Sequence, residues 1–396
     1  MHIPKNKKNQ TILLVVQNNS FPTDKRVLKE ARSLKNAGYI VSIISPASEF
    51  DPEYESTFEE MNVFRYRNFE SQGGIGAFFL EYANAVIKIF FLSLKVYFKK
   101  RFRIIHVANP PDFFWPMALF YKPFGVKFIF DQHDIAPEML RANQGRAGIL
   151  YRLLLFNEHL TVLCASAIIT VNQSLKQRLL KRYTLSKKIF EVVYNGPNAN
   201  FKSICDSSLS AQYKGKKIIL FVGLMAPLDG VETLIHVAEN IVRHRSDCVF
   251  ILLGDGPERP RLEQLVKNKK LEKQIVFKGR VSYETVKKYL ALASVCVAPD
   301  EKNEFTDHFT LVKVLEYMKA GKPFVGFRLH ETCLIAGDAG CYANSLHEFI
   351  EQVEYLLDNP DSAEKYGSIG QQIIEKEYLW EHQEERLLNV YQKLLG

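Results

Sequence analysis

Short apolar runs rich in β-branched residues alternate along this chain with longer segments in which apolar residues recur every three or four positions. Residues 11–16 are almost continuously apolar, the pattern of a central strand covered on both faces. After a polar turn, Val27, Leu28, Ala31 and Leu34 share one face of residues 25–35, with Lys25, Lys29, Arg32 and Lys35 opposite, which predicts an amphipathic helix. Gly38 ends it, and residues 39–44 read as the next strand. Further strands are predicted at 104–107, 126–130 and 167–171, and then at 217–222, 249–253, 275–277, 295–297 and 324–327. Helices are predicted over 231–242 and 310–320, with a last one opening at 379–381. Strands and helices alternating in this way predict parallel α/β sheets.

The 396 residues are too many for one ordinary core and suit two α/β domains. A turn-rich stretch from Asn195-Gly196-Pro197 to Ser210 reads as the linker. The first domain is therefore expected over 1–200 and the second over 211–375, with a final helix in 376–396. Residues 75–98 are the most apolar stretch, but Glu81, Lys88 and Lys95 interrupt it, so a membrane span is not expected. Its polar stripe of Glu81, Asn84, Lys88, Lys95 and Lys99 lies opposite a broad aromatic and aliphatic face, and Lys100, Arg101 and Arg103 follow. Two readings stay open: a core helix of the first domain, or a helix whose basic end rests on anionic lipid headgroups.

Composition narrows the partners. Hydrophobic residues at 47% and charged residues at 24% fit a soluble globular protein. The net charge of +8 calls for an acidic partner. No helix-turn-helix, finger or aromatic RNA-binding motif accompanies it, so no nucleic acid is expected. Six cysteines form no CxxC pair, which predicts reduced, buried thiols and no zinc site. Residues 1–10 are polar and basic, so no secretory signal is expected and the cytoplasm is the expected compartment. The first strand-to-helix turn lacks GxGxxG, which argues against a dinucleotide oxidoreductase.

The densest chemistry lies in residues 295–327. A polar loop there carries Asp307, His308, Phe309 and Thr310 immediately before a helix. The N–H groups of a helix start then point into the crevice that a parallel sheet opens at its strand ends, a place suited to phosphate. Glu316, further along the helix, reads from the pattern alone as a solvated helix residue. Upstream, Gly223, Gly254-Asp255-Gly256 and Gly279-Arg280-Val281 follow three predicted strands; glycine lets backbone approach a phosphate closely. In the first half, Asp131 to Glu138 follow a strand end, where His133 either meets a ligand or bonds neighbouring backbone. Asp24 either caps its helix or faces a ligand.

The run Lys313-x-x-Glu316-Tyr317-Met318-x-x-Gly321-Lys322-Pro323, preceded by those three glycine loops, resembles the donor-binding signature of glycosyltransferase family 4, in particular the branch that builds cell-surface polysaccharides and O-antigens. The resemblance implies the α/β GT-B fold: two Rossmann-like domains facing across a cleft, the last helix packing back toward the first. It implies metal-independent, retaining transfer without a cofactor, from a nucleoside-diphosphate sugar to a lipid-linked or polysaccharide hydroxyl. Uridine is expected over guanosine, and the cytoplasmic face of the inner membrane is the implied place of work. By the same resemblance the amides around Phe309, Thr310 and Leu311, with Lys313, hold the diphosphate, and Glu316 takes the ribose. Gly223, Gly254, Asp255, Gly256, Arg280 and Val281 then surround the nucleotide. His133 and Asp307 are the implied catalytic pair, and Asp24, Arg26 and Asn195 the acceptor side. The chain departs from the family at three points: His308 stands where an acid is usual, and Leu224 and Asp229 where an arginine and a lysine are. An epimerase on the same scaffold and a non-catalytic binding module therefore stay open.

Overall fold

The computed structural model describes residues 10–49, 51–68, 75–144, 148–185 and 188–396. The chain divides into two units, Met1–Tyr194 with Gln383–Gly396, and Asn195–His382. The stretch expected as a linker, Asn195 to Ser210, thus lies wholly in the second unit. Phe201 is buried there against Tyr283, with ring centroids 5.7 Å apart, and the Ile204 amide donates to the Lys287 carbonyl.

The first unit holds an eight-stranded sheet built from β1 (Thr11–Val15), β2 (Ile40–Pro46), β3 (Glu55–Phe58), β4 (Met61–Tyr66), β5 (Ile104–Ala108), β6 (Lys127–Gln132), β7 (Ala167–Thr170) and β8 (Ile189–Val192). The order is β3-β4-β2-β1-β5-β6-β7-β8, and every pairing is parallel except β3 with β4. All of β1 is buried, as its apolar run requires; Leu14 pairs with Ile43 on one side and His106 on the other. The β3–β4 hairpin has no counterpart in the predicted elements, because β3 alternates between exposed and half-buried positions and carries no apolar run.

The second unit holds β9 (Lys217–Val222), β10 (Cys248–Leu253), β11 (Ile275–Gly279), β12 (Val295–Ala298), β13 (Phe324–Phe327) and β14 (Gly340–Ala343). They run parallel in the order β11-β10-β9-β12-β13-β14. Phe221, Phe250 and Phe349 are fully buried in its core, each worth about 1.5–3 kcal/mol of burial. In both sheets the chain winds outward in two directions from a central pair, β1 and β5 in one, β9 and β12 in the other. A ligand crevice is expected beyond the carboxyl ends of such a pair.

The 26-residue helix Ile75–Lys100 does not give its whole apolar face to the core. Ala85, Ile89 and Val96 are buried, while Ile87, Phe91 and Phe98 face solvent. Among the described residues, no helix is long and apolar enough to cross a membrane. Burial of the cysteines is also partial: Cys248, Cys296 and Cys341 are buried, Cys164 and Cys333 half-buried, and Cys205 exposed.

Candidate active site

The glycine loops of the second unit are locked together at the switch between β9 and β12. The Gly223 amide donates to the Leu253 carbonyl, the Met225 amide to Asp255, and the Gly254 amide to Gly279, so the loops after β9, β10 and β11 form one bonded layer. Gly254 has φ +141°, and a Cβ there would lie 1.7 Å from the Gly223 carbonyl oxygen. At Gly230, φ +67°, a Cβ would lie 1.9 Å from the Pro299 carbonyl oxygen, so the β9 loop packs closely on the one after β12. Only glycine permits either approach. Asp255 accepts from the Gly256 amide and pairs with Arg259 at 3.0 Å. Arg280 is exposed and Val281 half-exposed at the end of the layer.

Opposite these loops the predicted helix forms over Val312–Lys319, two residues later than the pattern suggests, with Leu311 as its cap residue. The expected start amides around Phe309 to Leu311 therefore move to Val312 and Lys313. Tyr317 fixes the helix to both strands of the switch, accepting from the Val222 amide (2.9 Å) and donating to the Val297 carbonyl (3.3 Å). Lys313 lies against Gly223: a Cβ on that glycine would meet its Nζ at 3.4 Å. The same ammonium sits 2.8 Å from Asp300, 3.9 Å from Asp229 and over the Phe221 ring. Burial raises the Asp229 carboxyl, with Lys313 opposing. Leu224 is exposed and Asp229 half-buried, and the cation near Asp229 comes from the helix, as Lys313.

Asp307 and Glu316 both have partners within this unit. Asp307 accepts from the His330 amide at 2.7 Å and lies 3.4 Å from Lys302, so it braces the loop onto the next helix. His308 and Phe309 follow in the same loop; Phe309 stacks on Phe305 at 5.1 Å. Thr310 is buried. Glu316 accepts a 2.9 Å hydrogen bond from the Tyr283 hydroxyl, a partner that sequence patterning misses. Burial, then the Glu316 charge, raises that phenol strongly, so it remains a donor. Lys322 of the family signature is structural, its ammonium capping the Ala291 and Ala293 carbonyls at 2.9 and 3.0 Å. A hollow of ≈ 470 Å³ lined by Thr233, His236, Lys302 and Arg328 lies elsewhere in this unit and includes none of Gly223, Lys313 or Glu316.

In the first unit a buried polar cluster gathers at the ends of β1, β5 and β6. Asp131, expected in a loop, is the penultimate residue of β6 and fully buried. It takes two contacts from Arg26 at 3.1 and 3.2 Å, and His133 Nε2 lies 2.6 Å away. Arg26 also donates to the Val193 carbonyl (2.7 Å) and pairs with Glu30 at 3.1 Å. At 4% exposure its guanidinium serves these partners. Burial alone would raise the Asp131 carboxyl, but Arg26 and His133 hold it well below the usual range. Burial and Asp131 push Glu30 well up, and burial lowers His106. Glu30, His106 and Asp131 have ligand atoms within 4.8 Å of one another; Arg26 already supplies the positive charge such a group would need from a metal.

His133 is held ready by a residue patterning overlooks. Asn109, after β5, accepts from the His133 and Asp134 amides at 2.5 and 3.0 Å and donates to Asp112 and the Asp134 carbonyl, both at 2.8 Å. Asp24 caps its helix, accepting from the Val27 amide at 3.0 Å. Asn195 is the first residue of the second unit.

Two parallel α/β sheets, each with a polar cluster at its switch point, define a GT-B architecture. Family models agree along the chain: Glycosyltransferase Family 4 matches residues 24–201 and Glycosyl transferases group 1 matches 216–359. The chain belongs to glycosyltransferase family 4. Alpha-D-kanosaminyltransferase of Streptomyces kanamyceticus is 27% identical over 183 residues, 45% of this chain and 46% of that protein. An uncharacterized glycosyltransferase of Methanocaldococcus jannaschii is 30% identical over 46% of this chain and 48% of its own. The matched stretch spans about half the length of these curated relatives. Sucrose-phosphate synthase of Thermosynechococcus elongatus superposes over 98% of this chain and 99% of its own, with a TM-score of 0.77 and 18% identity. Anabaena HepE in complex with UDP gives 0.71 and 16% over 97% and 100%. These likenesses carry the fold.

Proposed function

We propose that this protein is a retaining, metal-independent glycosyltransferase that moves a sugar from a nucleoside diphosphate to a hydroxyl of a lipid-linked or polysaccharide acceptor. The observation that carries the reading is Lys313 lying between the Gly223 backbone and Asp300 at the β9–β12 switch. A diphosphate arriving there finds glycine backbone that cannot obstruct it, the Val312 and Lys313 amides, and an ammonium that can exchange Asp300 for phosphate oxygens. These groups stabilise the charge leaving with the diphosphate without a metal. Glu316, steadied by Tyr283, takes the ribose hydroxyls. His133 contacts the transferred sugar, its ring positioned by the Asp131 carboxylate 2.6 Å from Nε2. Asp307, occupied by the His330 amide, needs no proton-transfer role, because in front-face attack the departing phosphate accepts the acceptor's proton. Uridine is the favoured base, in keeping with HepE structures described as complexes with UDP and UDP-glucose.

A binding-only protein is the second reading, favoured by the two carboxylates that already neutralise Lys313. Incubation with a panel of uridine, guanosine and adenosine diphosphate sugars, with and without lipid-linked acceptor, separates the two. Release of nucleoside diphosphate with one donor supports the enzyme. A rise in melting temperature with no turnover under any condition supports the binding module.

A further inference from the structure

We propose that the ≈ 470 Å³ hollow of the second unit binds a sugar monophosphate, at a site separate from the donor site. The hollow opens beyond the carboxyl ends of β12, β13 and β14, and the helix Val231–Val242 supplies one wall. Strand ends of a parallel sheet are where such folds take ligands. Its volume falls in the range of small-molecule sites. Gly223, Lys313 and Glu316 take no part in it, so the proposal does not rest on the donor reading.

Two cations from successive strand ends mark the place of an anion. Lys302 follows β12 and Arg328 directly follows β13, and both are exposed. Among the described residues no carboxylate lies within ion-pair distance of Arg328, whose guanidinium lies over the Tyr342 ring at 5.2 Å. The neighbouring Glu348 is engaged by the Asn344 amide and side chain at 2.7 and 2.8 Å. Lys302 pairs with Asp307 at 3.4 Å, a loose contact with a carboxylate that the His330 amide already holds at 2.7 Å. Both cations can therefore turn to a phosphate, Arg328 through its forked N–H donors and Lys302 as a point charge.

The rest of the hollow selects hydroxyl groups. A bare phosphate would leave most of the volume empty and would face Glu301, whose carboxylate lines the same hollow and accepts from the Thr233 hydroxyl. That carboxylate suits a ligand which brings donors of its own, and sugar hydroxyls are such donors. Phe327, half-buried and packed on Phe349 with ring centroids 5.1 Å apart, gives the apolar wall that a sugar ring requires.

Titration calorimetry of glucose 1-phosphate, glucose 6-phosphate and mannose 6-phosphate into the full-length protein, with and without saturating UDP, tests the proposal. One of the three is expected to bind one-to-one, at least about tenfold more tightly than inorganic phosphate or free glucose, and equally well with UDP present. Lys302→Gln/Arg328→Gln should weaken that binding at least about tenfold. Glu301→Ala should narrow the preference over inorganic phosphate about fivefold, through the loss of a hydroxyl acceptor. All three side chains are exposed, and unchanged melting temperatures verify the fold. UDP binding by the variants stays at the wild-type value; a wild type that fails to bind UDP sinks the donor reading alone. Absence of saturable binding by all three sugar phosphates overturns the proposal. So does equal binding to wild type and the double variant, equal affinity for inorganic phosphate, or displacement of the sugar phosphate by UDP.

Discussion

The hydroxyl of Tyr283 donates a 2.9 Å hydrogen bond to Glu316 Oε1, joining the first turn of one helix of the second unit to the middle of another. The bond fixes the rotamer of a carboxylate that would otherwise sample several on a half-exposed helix face. If Glu316 reads the ribose, Tyr283 pre-organises it. Tyr283→Phe should weaken UDP binding about fivefold, one hydrogen bond of about 1 kcal/mol, while moving the urea midpoint little. Fluorescence competition with a labelled nucleotide measures it; undiminished affinity removes the positioning role.

Asp300 is buried and holds Lys313 at 2.8 Å. Asp300→Asn strips the ammonium of its main counter-charge, at a cost of up to about 3–5 kcal/mol for a buried pair. A bound diphosphate restores that counter-charge. The melting temperature of the free variant should therefore fall, and the rise produced by UDP should exceed that of wild type. A smaller rise would mean that Lys313 does not meet phosphate.

Gly254→Ala drives a methyl group to within 1.7 Å of the Gly223 carbonyl at φ +141°. The layer must open, at about 1–3 kcal/mol, and the loop that approaches the diphosphate moves with it. Gly125→Ala, also at positive φ but with nothing within 4 Å, serves as the control, with a smaller shift in urea midpoint and normal nucleotide binding.

Burial pushes the Asp112 carboxyl up to about 8 from an ordinary 3.8, Glu158 adding to the rise and the Asn109 donation opposing it. Between those values the folded carboxyl keeps a proton that the unfolded chain releases, so its contribution to stability falls as pH rises through the window. Wild type should lose melting temperature between about pH 5 and about pH 8 relative to Asp112→Asn, which has no proton to lose. Parallel profiles for the two proteins would refute this.

The strand runs and the order of the glycine loops were legible in the sequence because both are local: an apolar run reports a buried strand, and glycine after a strand reports backbone crowding. The helix Val231–Val242 follows its pattern to the residue. What stayed hidden depends on partners brought together by topology. Arg26 reads as an acceptor-side residue by resemblance alone; that its guanidinium meets Asp131 depends on β6 being delivered beside it. Tyr283 lies 33 positions from Glu316, and Asn109 staples a loop 24 residues away. The apolar face of the Ile75–Lys100 helix is divided between core and solvent, a division that depends on its packing partners and that periodicity does not record.

The central claim is that a nucleoside diphosphate seats at the amino end of the Val312–Lys319 helix with Glu316 on its ribose. Titration calorimetry of UDP into wild type, Glu316→Ala and Lys313→Met tests it most directly. The expected result is saturable one-to-one binding to wild type, weakened at least about tenfold in each variant by the loss of a charge-assisted contact, with the melting temperature of Glu316→Ala close to wild type. Binding of the same strength to all three proteins would contradict it.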